Sequence, residues 1–126
     1  MTLRCIIVDD NPEVLRAASD LLEREGLAVV GVATTGEEAV SLMRDLGPDV
    51  MLVDIDLGPE SGLDLARRLE QHVDTAGRRT ILISTHDEAD FADLIADSPA
   101  IGFLSKTDLS ATAIRQLLAP SRDERA

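Results

Sequence analysis

Short apolar runs alternate with longer amphipathic segments along the chain. The runs are rich in Val, Ile and Leu and lack a strict alternation of apolar and polar residues. This pattern is typical of strands that are buried on both faces of a sheet. The predicted strands are Leu3–Val8, Ala28–Ala33, Asp49–Val53, Thr80–Ser84 and Ile101–Leu104.

Between the strands, apolar residues recur every three or four positions, which predicts helices. Several helix ends are marked by capping residues: Asn11-Pro12, the capping-box spacing from Thr35 to Glu38, and Gly47-Pro48. The predicted helices run from Pro12 to Gly26, from Thr35 to Gly47, from Ser61 towards Gly77, through Phe91 to Ser98, and from near Asp108 to Pro120.

The alternation predicts an α/β fold. We expect a doubly wound, flavodoxin-like (βα)5 domain, with a five-stranded parallel sheet of order 2-1-3-4-5 and helices on both faces. The domain should cover residues 1–119, and residues 120–126 should form a disordered polar tail.

Composition excludes some partners. The formal net charge of −12 repels phosphate backbones and anionic lipids, and two aromatic residues, Phe91 and Phe103, are too few for base stacking. No apolar run approaches the ~20 residues of a membrane span. We therefore expect no direct nucleic-acid or membrane partner. Cys5 is the single cysteine and cannot form an internal disulfide, which fits the cytoplasm.

Polar residues follow the ends of the predicted strands. Asp9-Asp10 follow the first strand, Asp54 the third, Ser84-Thr85 the end of the fourth, and Lys106 the fifth. Because parallel strands bring their carboxyl ends to one edge, these groups should converge. Clustered carboxylates need a cation, and oxygen donors suit Mg²⁺. The sequence thus predicts phosphoryl transfer, with Asp54 as nucleophile and Lys106 neutralising phosphoryl oxygens.

Each of these polar residues ends or follows a short apolar motif. In this order and spacing, the motifs resemble the receiver domain of response regulators, most closely the NarL/FixJ type. The resemblance covers Leu3 to about Leu118. Thr107 stands where many receivers have proline. The motifs that carry it are Ile7-Val8-Asp9-Asp10, Val53-Asp54, Ile83-Ser84-Thr85 and Gly102-Phe103-Leu104-Ser105-Lys106.

The resemblance implies a role for each site residue. Asp54 would be the phosphoacceptor. Asp10, Asp54 and the main-chain carbonyl of Asp56 would bind Mg²⁺, while Asp9 would act through a metal-bound water. The remaining two roles concern the phosphoryl group: Ser84 would bond one of its oxygens and Lys106 would pair with it.

It also implies a switch and partners. A histidine kinase or histidine phosphotransfer protein would supply the phosphoryl group. Ser84 and Phe103 would then report the state to a face formed by the fourth helix, fifth strand and fifth helix, which would bind a downstream protein or a second copy. Asp56 and His86 would flank the water that hydrolyses the aspartyl phosphate, and we expect them to tune its lifetime.

Two alternatives stay open. One is that the chain is the receiver part of a longer DNA-binding regulator; the Met1 start and the short tail after Pro120 favour a stand-alone receiver instead. Asp54-Ile55-Asp56 also resembles the start of haloacid-dehalogenase-like phosphatases. Those enzymes place their carboxylate pair last, whereas Asp9-Asp10 come first here, so we expect a phosphoacceptor with self-phosphorylation and self-dephosphorylation chemistry rather than an enzyme.

Overall fold

The predicted five-stranded parallel sheet is present in the computed structural model, which describes residues 2–72, 79–85 and 92–118. The strand order is β2-β1-β3-β4-β5, so the predicted order 2-1-3-4-5 is confirmed. The pairs β1–β2, β1–β3, β3–β4 and β4–β5 are all parallel. The strands are β1 Arg4–Val8, β2 Ala28–Ala33, β3 Val50–Asp54, β4 Arg79–Ser84 and β5 Gly102–Ser105.

Helices alternate with these strands as predicted. None of the helices in the described part of the chain is long and apolar enough to cross a membrane. The expected continuation of the third helix towards Gly77, the residue Phe91 and the tail lie outside the described residues. The helices are α1 Pro12–Arg24, α2 Gly36–Leu46, α3 Gly62–His72, α4 Ala92–Ala96 and α5 Ala111–Leu118.

Side-chain caps explain where the first two helices begin. The Asn11 side chain accepts a hydrogen bond from the Glu13 amide at 2.9 Å, and Pro12 occupies the first turn. At the second helix, Thr35 Oγ1 accepts from the Glu38 amide at 3.2 Å. Gly47 ends that helix in the left-handed conformation, with φ of 55°. These boundaries are confirmed.

The fifth helix begins later than the sequence predicts. Lys106–Asp108 form a 3-10 turn, and α5 starts only at Ala111, after the Ser110 hydroxyl accepts a hydrogen bond from the Ala113 amide at 3.0 Å. The intervening Leu109 is buried in an extended conformation. Burial of this leucine therefore places the cap two residues beyond Asp108.

Two apolar layers cover the faces of the sheet. On one face α2 and α3 pack against Ile6, Val8 and Leu82, and on the other α1 and α5 pack against Ile7 and Ile83. The central strands β1 and β3 are almost wholly buried, as predicted. The edge strand β2 is not: Val32 is 44% exposed, because an edge strand has a neighbour on one side only.

The single cysteine is part of the core. Cys5 lies in the middle of the sheet with no exposed surface. Burial, helped by the charge of Glu23, raises the pKa of its thiol to about 12. The side chain acts as a small hydrophobic residue of the core.

A glycine at the start of α3 allows close packing beneath the end of β3. The Gly62 amide donates to the Ile55 carbonyl at 2.7 Å, and a Cβ at Gly62 would overlap the carbonyl oxygen of Asp54. A side chain here would push directly on the backbone that carries Asp54.

We expect Gly62→Ala to lower the free energy of unfolding by about 1–3 kcal/mol, the usual range for overpacking. Urea unfolding followed by far-UV circular dichroism measures this. Gly31→Ala is the matched control, since its Cβ would reach Leu42 at an ordinary 3.4 Å. Equal unfolding midpoints for the two variants would contradict the packing argument.

Candidate functional site

The carboxyl ends of four strands bring the predicted site residues to one edge of the sheet. Asp9 follows β1, and its amide donates to the Ala33 carbonyl at 3.0 Å. Asp54 is the last residue of β3, Ser84 is the last residue of β4, and Lys106 follows β5. The convergence that parallel strands predict is therefore present.

A single ammonium group joins two buried carboxylates. Nζ of Lys106 lies 2.6 Å from Oδ2 of Asp9 and 3.0 Å from Oδ2 of Asp54. Asp9 is fully buried and Asp54 is 5% exposed. Away from water, such ionic contacts are stronger than at the surface, and each carboxylate depends on them for its charge to be tolerated.

Backbone amides hold the other carboxylate oxygens. The Asn11 amide donates to Asp9 Oδ1 at 2.9 Å, and the Asp56 amide donates to Asp54 Oδ1 at 3.1 Å. Both carboxylates are thus fixed in orientation. Asp9 Oδ2 differs, because besides the ionic contact with Lys106 it has no hydrogen bond of good geometry among the described residues.

The cluster holds more negative than positive groups, since one ammonium group faces two carboxylates. Burial raises the pKa of Asp54 above its usual value, although the contacts with Lys106 and the Asp56 amide oppose the rise. Burial would lower the pKa of Lys106, but the short contacts of its ammonium group with the carboxylates of Asp9 and Asp54 outweigh burial and raise it. The lysine therefore stays charged, and one cation serves two carboxylates.

A third carboxylate completes a possible cation site. Asp9, Asp10 and Asp54 each offer an oxygen, and these oxygens lie within 4.8 Å of one another. Asp10 is exposed, which leaves the cluster open to solvent on one side. Three hard oxygen donors fit a divalent cation that keeps several waters, and the buried Asp9 Oδ2, whose one described contact is with Lys106, is a further oxygen at this edge.

The remaining predicted site residues that the structure describes lie outside the three-carboxylate cluster. Ser84 is buried at the edge where Asp54 lies, and Phe103 of β5 is half-buried against the layer beneath α2 and α3. The Asp56 carboxylate is exposed and accepts from the Gly58 amide at 3.3 Å, so it is not one of the three clustered groups. His86 lies outside the described residues.

The sequence patterns did not single out Glu60. Residues Asp56–Leu57 pair antiparallel with Glu60–Ser61, forming a hairpin directly after Asp54. The Gly58-Pro59 dipeptide between them is the signal that could have found it, because glycine at the first position of a two-residue loop suits a tight hairpin turn.

A doubly wound sheet with an acidic pocket and a lysine at its carboxyl edge defines a class of α/β signalling domain. This chain belongs to the response regulator receiver domain family, which matches residues 5–118. The predicted resemblance is confirmed, and the function of the family, as receiver domain of two-component response regulators, applies to the chain.

Similar proteins agree with this assignment. The response regulator GacA of Pseudomonas aeruginosa is 30% identical over 124 residues, which cover 95% of this chain and 57% of GacA. A LuxR-family two-component response regulator from Aurantimonas sp. SI85-9A1 is 30% identical, with a TM-score of 0.82 over 98% of this chain and 92% of that one. The receiver domain of NarL from Mycobacterium tuberculosis is 26% identical, with a TM-score of 0.80 over 94% and 98% of the two chains.

The chain spans about half the length of the curated relatives it matches. Family membership therefore describes the receiver itself, and the activities of those whole proteins are not carried over.

We expect Asp54→Asn to stabilise the protein without divalent cations, by on the order of 1 kcal/mol, because an amide removes a poorly solvated charge. The pKa of Asp54 in the folded state lies above its unfolded value. Its ionised form therefore lowers stability at neutral pH, and this loss disappears as pH falls through the folded pKa.

The measurement is the urea midpoint in EDTA across a pH series. Asp20→Asn removes the same charge from an exposed position on α1 and serves as the control. A stabilisation that Asp20→Asn reproduces, or that does not shrink at acid pH, would contradict the assigned cause.

Proposed function

We propose that Asp54 accepts a phosphoryl group from a phosphohistidine of a histidine kinase or histidine phosphotransfer protein in the cytoplasm. The contact that best supports this is the one between Lys106 and Asp54, which places an ammonium group beside the carboxylate at 3.0 Å. A carboxylate oxygen of Asp54 attacks phosphorus in line, an O–P bond forms, and the P–N bond to the donor imidazole breaks.

Each neighbouring group has a task in this transfer. Lys106 neutralises charge on the phosphoryl oxygens, and the Asp56 amide fixes the Asp54 carboxylate through Oδ1. Ser84 donates its hydroxyl to a phosphoryl oxygen. Mg²⁺, held by Asp9, Asp10, Asp54 and the Asp56 carbonyl, would supply further charge neutralisation when bound.

The signal then passes to a partner surface formed by α4, β5 and α5. Ser84 and Phe103 act as the switch, since both lie on strands that adjoin this surface. Leu94 on α4 and Ile101 directly before β5 are exposed apolar residues, and the exposed acidic residue Asp93 precedes Leu94. This mixture suits a protein partner with basic residues, or a second copy of the receiver.

Asp56 and His86 set how long the signal lasts. The exposed carboxylate of Asp56 is two residues past the phosphoacceptor and can orient or repel the attacking water. The role of His86 rests on the family resemblance alone.

A longer DNA-binding regulator is the second candidate for the whole protein. It is favoured by the curated relatives, of which this chain covers about half, and one of them is the DNA-binding transcriptional activator EvgA of Escherichia coli. The length of the genomic reading frame decides between the two.

Incubation with acetyl phosphate and Mg²⁺ should add one phosphoryl group to the wild-type protein, visible by intact mass spectrometry. Asp54→Asn should abolish the addition, because an amide is not a nucleophile. Asp20→Asn should be phosphorylated like wild type. Acid-labile phosphate that persists on the Asp54→Asn protein would refute Asp54 as the acceptor.

Removal of the exposed carboxylate of Asp10 should weaken Mg²⁺ binding and leave the proposed nucleophile, Asp54, in place. We expect Asp10→Asn to raise the Kd for Mg²⁺ at least tenfold, measured by calorimetric titration, since a direct ligand contributes no less than an outer one. Phosphorylation should then require correspondingly more Mg²⁺. A Kd equal to that of Asp20→Asn would exclude Asp10 from the site.

A further inference from the structure

The hairpin at residues 56–61 contacts the carboxylate cluster with its first arm. The Asp56 amide donates to Asp54 Oδ1 at 3.1 Å. Gly58, whose φ is +73°, lies so close to Asp10 that an added Cβ would be 3.1 Å from Oδ2. Two of the three clustered carboxylates are therefore in contact with this short hairpin, and their spacing depends on where it lies.

The second arm of the hairpin is held by a different part of the fold. Oε1 of Glu60 accepts a hydrogen bond from the Gly36 amide at 2.9 Å, and Oε2 lies 3.9 Å from Nη1 of Arg68 on α3. The Gly36 amide is at the first turn of α2, where backbone donors lack partners within the helix. A carboxylate is favoured there by both the hydrogen bond and the helix dipole.

No other described hydrogen bond links the hairpin to α2. Glu60 is half-buried, and the contact spans 24 residues of sequence. A two-stranded hairpin this short has little stability of its own. Leu57 anchors its first arm in the core, and the contact of Glu60 with Gly36 fixes its second arm at the far end.

We infer that Glu60 is a positioning residue for the cation site: through the Gly36 amide it holds the hairpin against Asp10 and Asp54 and so raises the affinity for Mg²⁺. The inference rests on the proposed function, because it assumes that this cluster binds the cation. Outer-shell groups that fix metal ligands typically contribute tenfold or more in affinity.

Two substitutions disturb the same contact from opposite sides. Glu60→Ala removes the acceptor. Gly36→Ala leaves the acceptor in place but puts a Cβ 2.7 Å from Glu60 Oε2, so that the flexible glutamate must move away. The same Cβ lies 3.3 Å from Leu65 Cδ1, which has to shift by only a few tenths of an ångström. Alanine also favours helix more than glycine does, so α2 itself should not suffer.

Calorimetric titration should show a Kd for Mg²⁺ raised about tenfold in each variant. The Kd of the Glu60→Ala, Gly36→Ala double variant should be no higher than that of either single variant, because both substitutions act on one contact. At saturating Mg²⁺, the rate of phosphorylation by acetyl phosphate should return to within about twofold of wild type, since Asp54 and Lys106 are untouched.

Two controls isolate the contact. Glu37→Ala removes an exposed carboxylate from the same turn of α2 without touching the hairpin, and should leave the Kd unchanged. Glu60→Gln keeps an oxygen that can accept from Gly36, and should restore most of the affinity. A residue with a purely structural role would lower the unfolding midpoint in these variants and leave the Kd of the folded protein unaltered.

The outcomes separate the two hypotheses. If wild type neither binds Mg²⁺ nor gains a phosphoryl group, the proposed function is wrong. If wild type does both, but Glu60→Ala and Gly36→Ala bind Mg²⁺ as tightly as Glu37→Ala, only the role of Glu60 is wrong. Should Glu60→Ala fail to fold, Gly36→Ala alone carries the same comparison.

Discussion

The ammonium group of Lys106 is the element on which the carboxyl edge of this sheet depends. It contacts Asp9 at the end of β1 and Asp54 at the end of β3, although it follows β5 in the chain. Without a cation there, two carboxylates that are almost wholly buried would face each other in a medium that solvates charge poorly. The lysine thus links the end of one edge strand to the ends of the two central strands at the proposed site.

Around this contact, the fold holds the proposed phosphoacceptor, Asp54, in a fixed orientation and leaves one neighbouring carboxylate exposed. Asp54 is fixed by the amide of Asp56, and Gly62 packs directly against its backbone carbonyl. Asp10, in contrast, is exposed and can adjust to a bound cation. A fixed carboxylate at Asp54 and an exposed one at Asp10 suit the phosphoryl transfer and the exchangeable Mg²⁺ that we propose.

Much of the fold follows from local signals in the sequence. The convergence of Asp9, Asp54, Ser84 and Lys106 follows as well, because parallel strands place all their carboxyl ends at the same edge of the sheet. What escaped prediction depends on tertiary contacts. Both Asp108 and Ser110 are good cap residues, and only the burial of Leu109 decides between them. The contact of Glu60 with Gly36 has no periodic signature, because it joins a turn to a helix end through space.

The buried thiol of Cys5 has a consequence for how this sheet opens. With a pKa of about 12, roughly one thiol in 100,000 is ionised at pH 7, and no solvent reaches it in the closed protein. A thiol-directed reagent can modify Cys5 only after the apolar layer around it, which includes residues of α1 and α5, has opened. The rate of modification under native conditions therefore measures how often this side of the sheet becomes exposed to solvent.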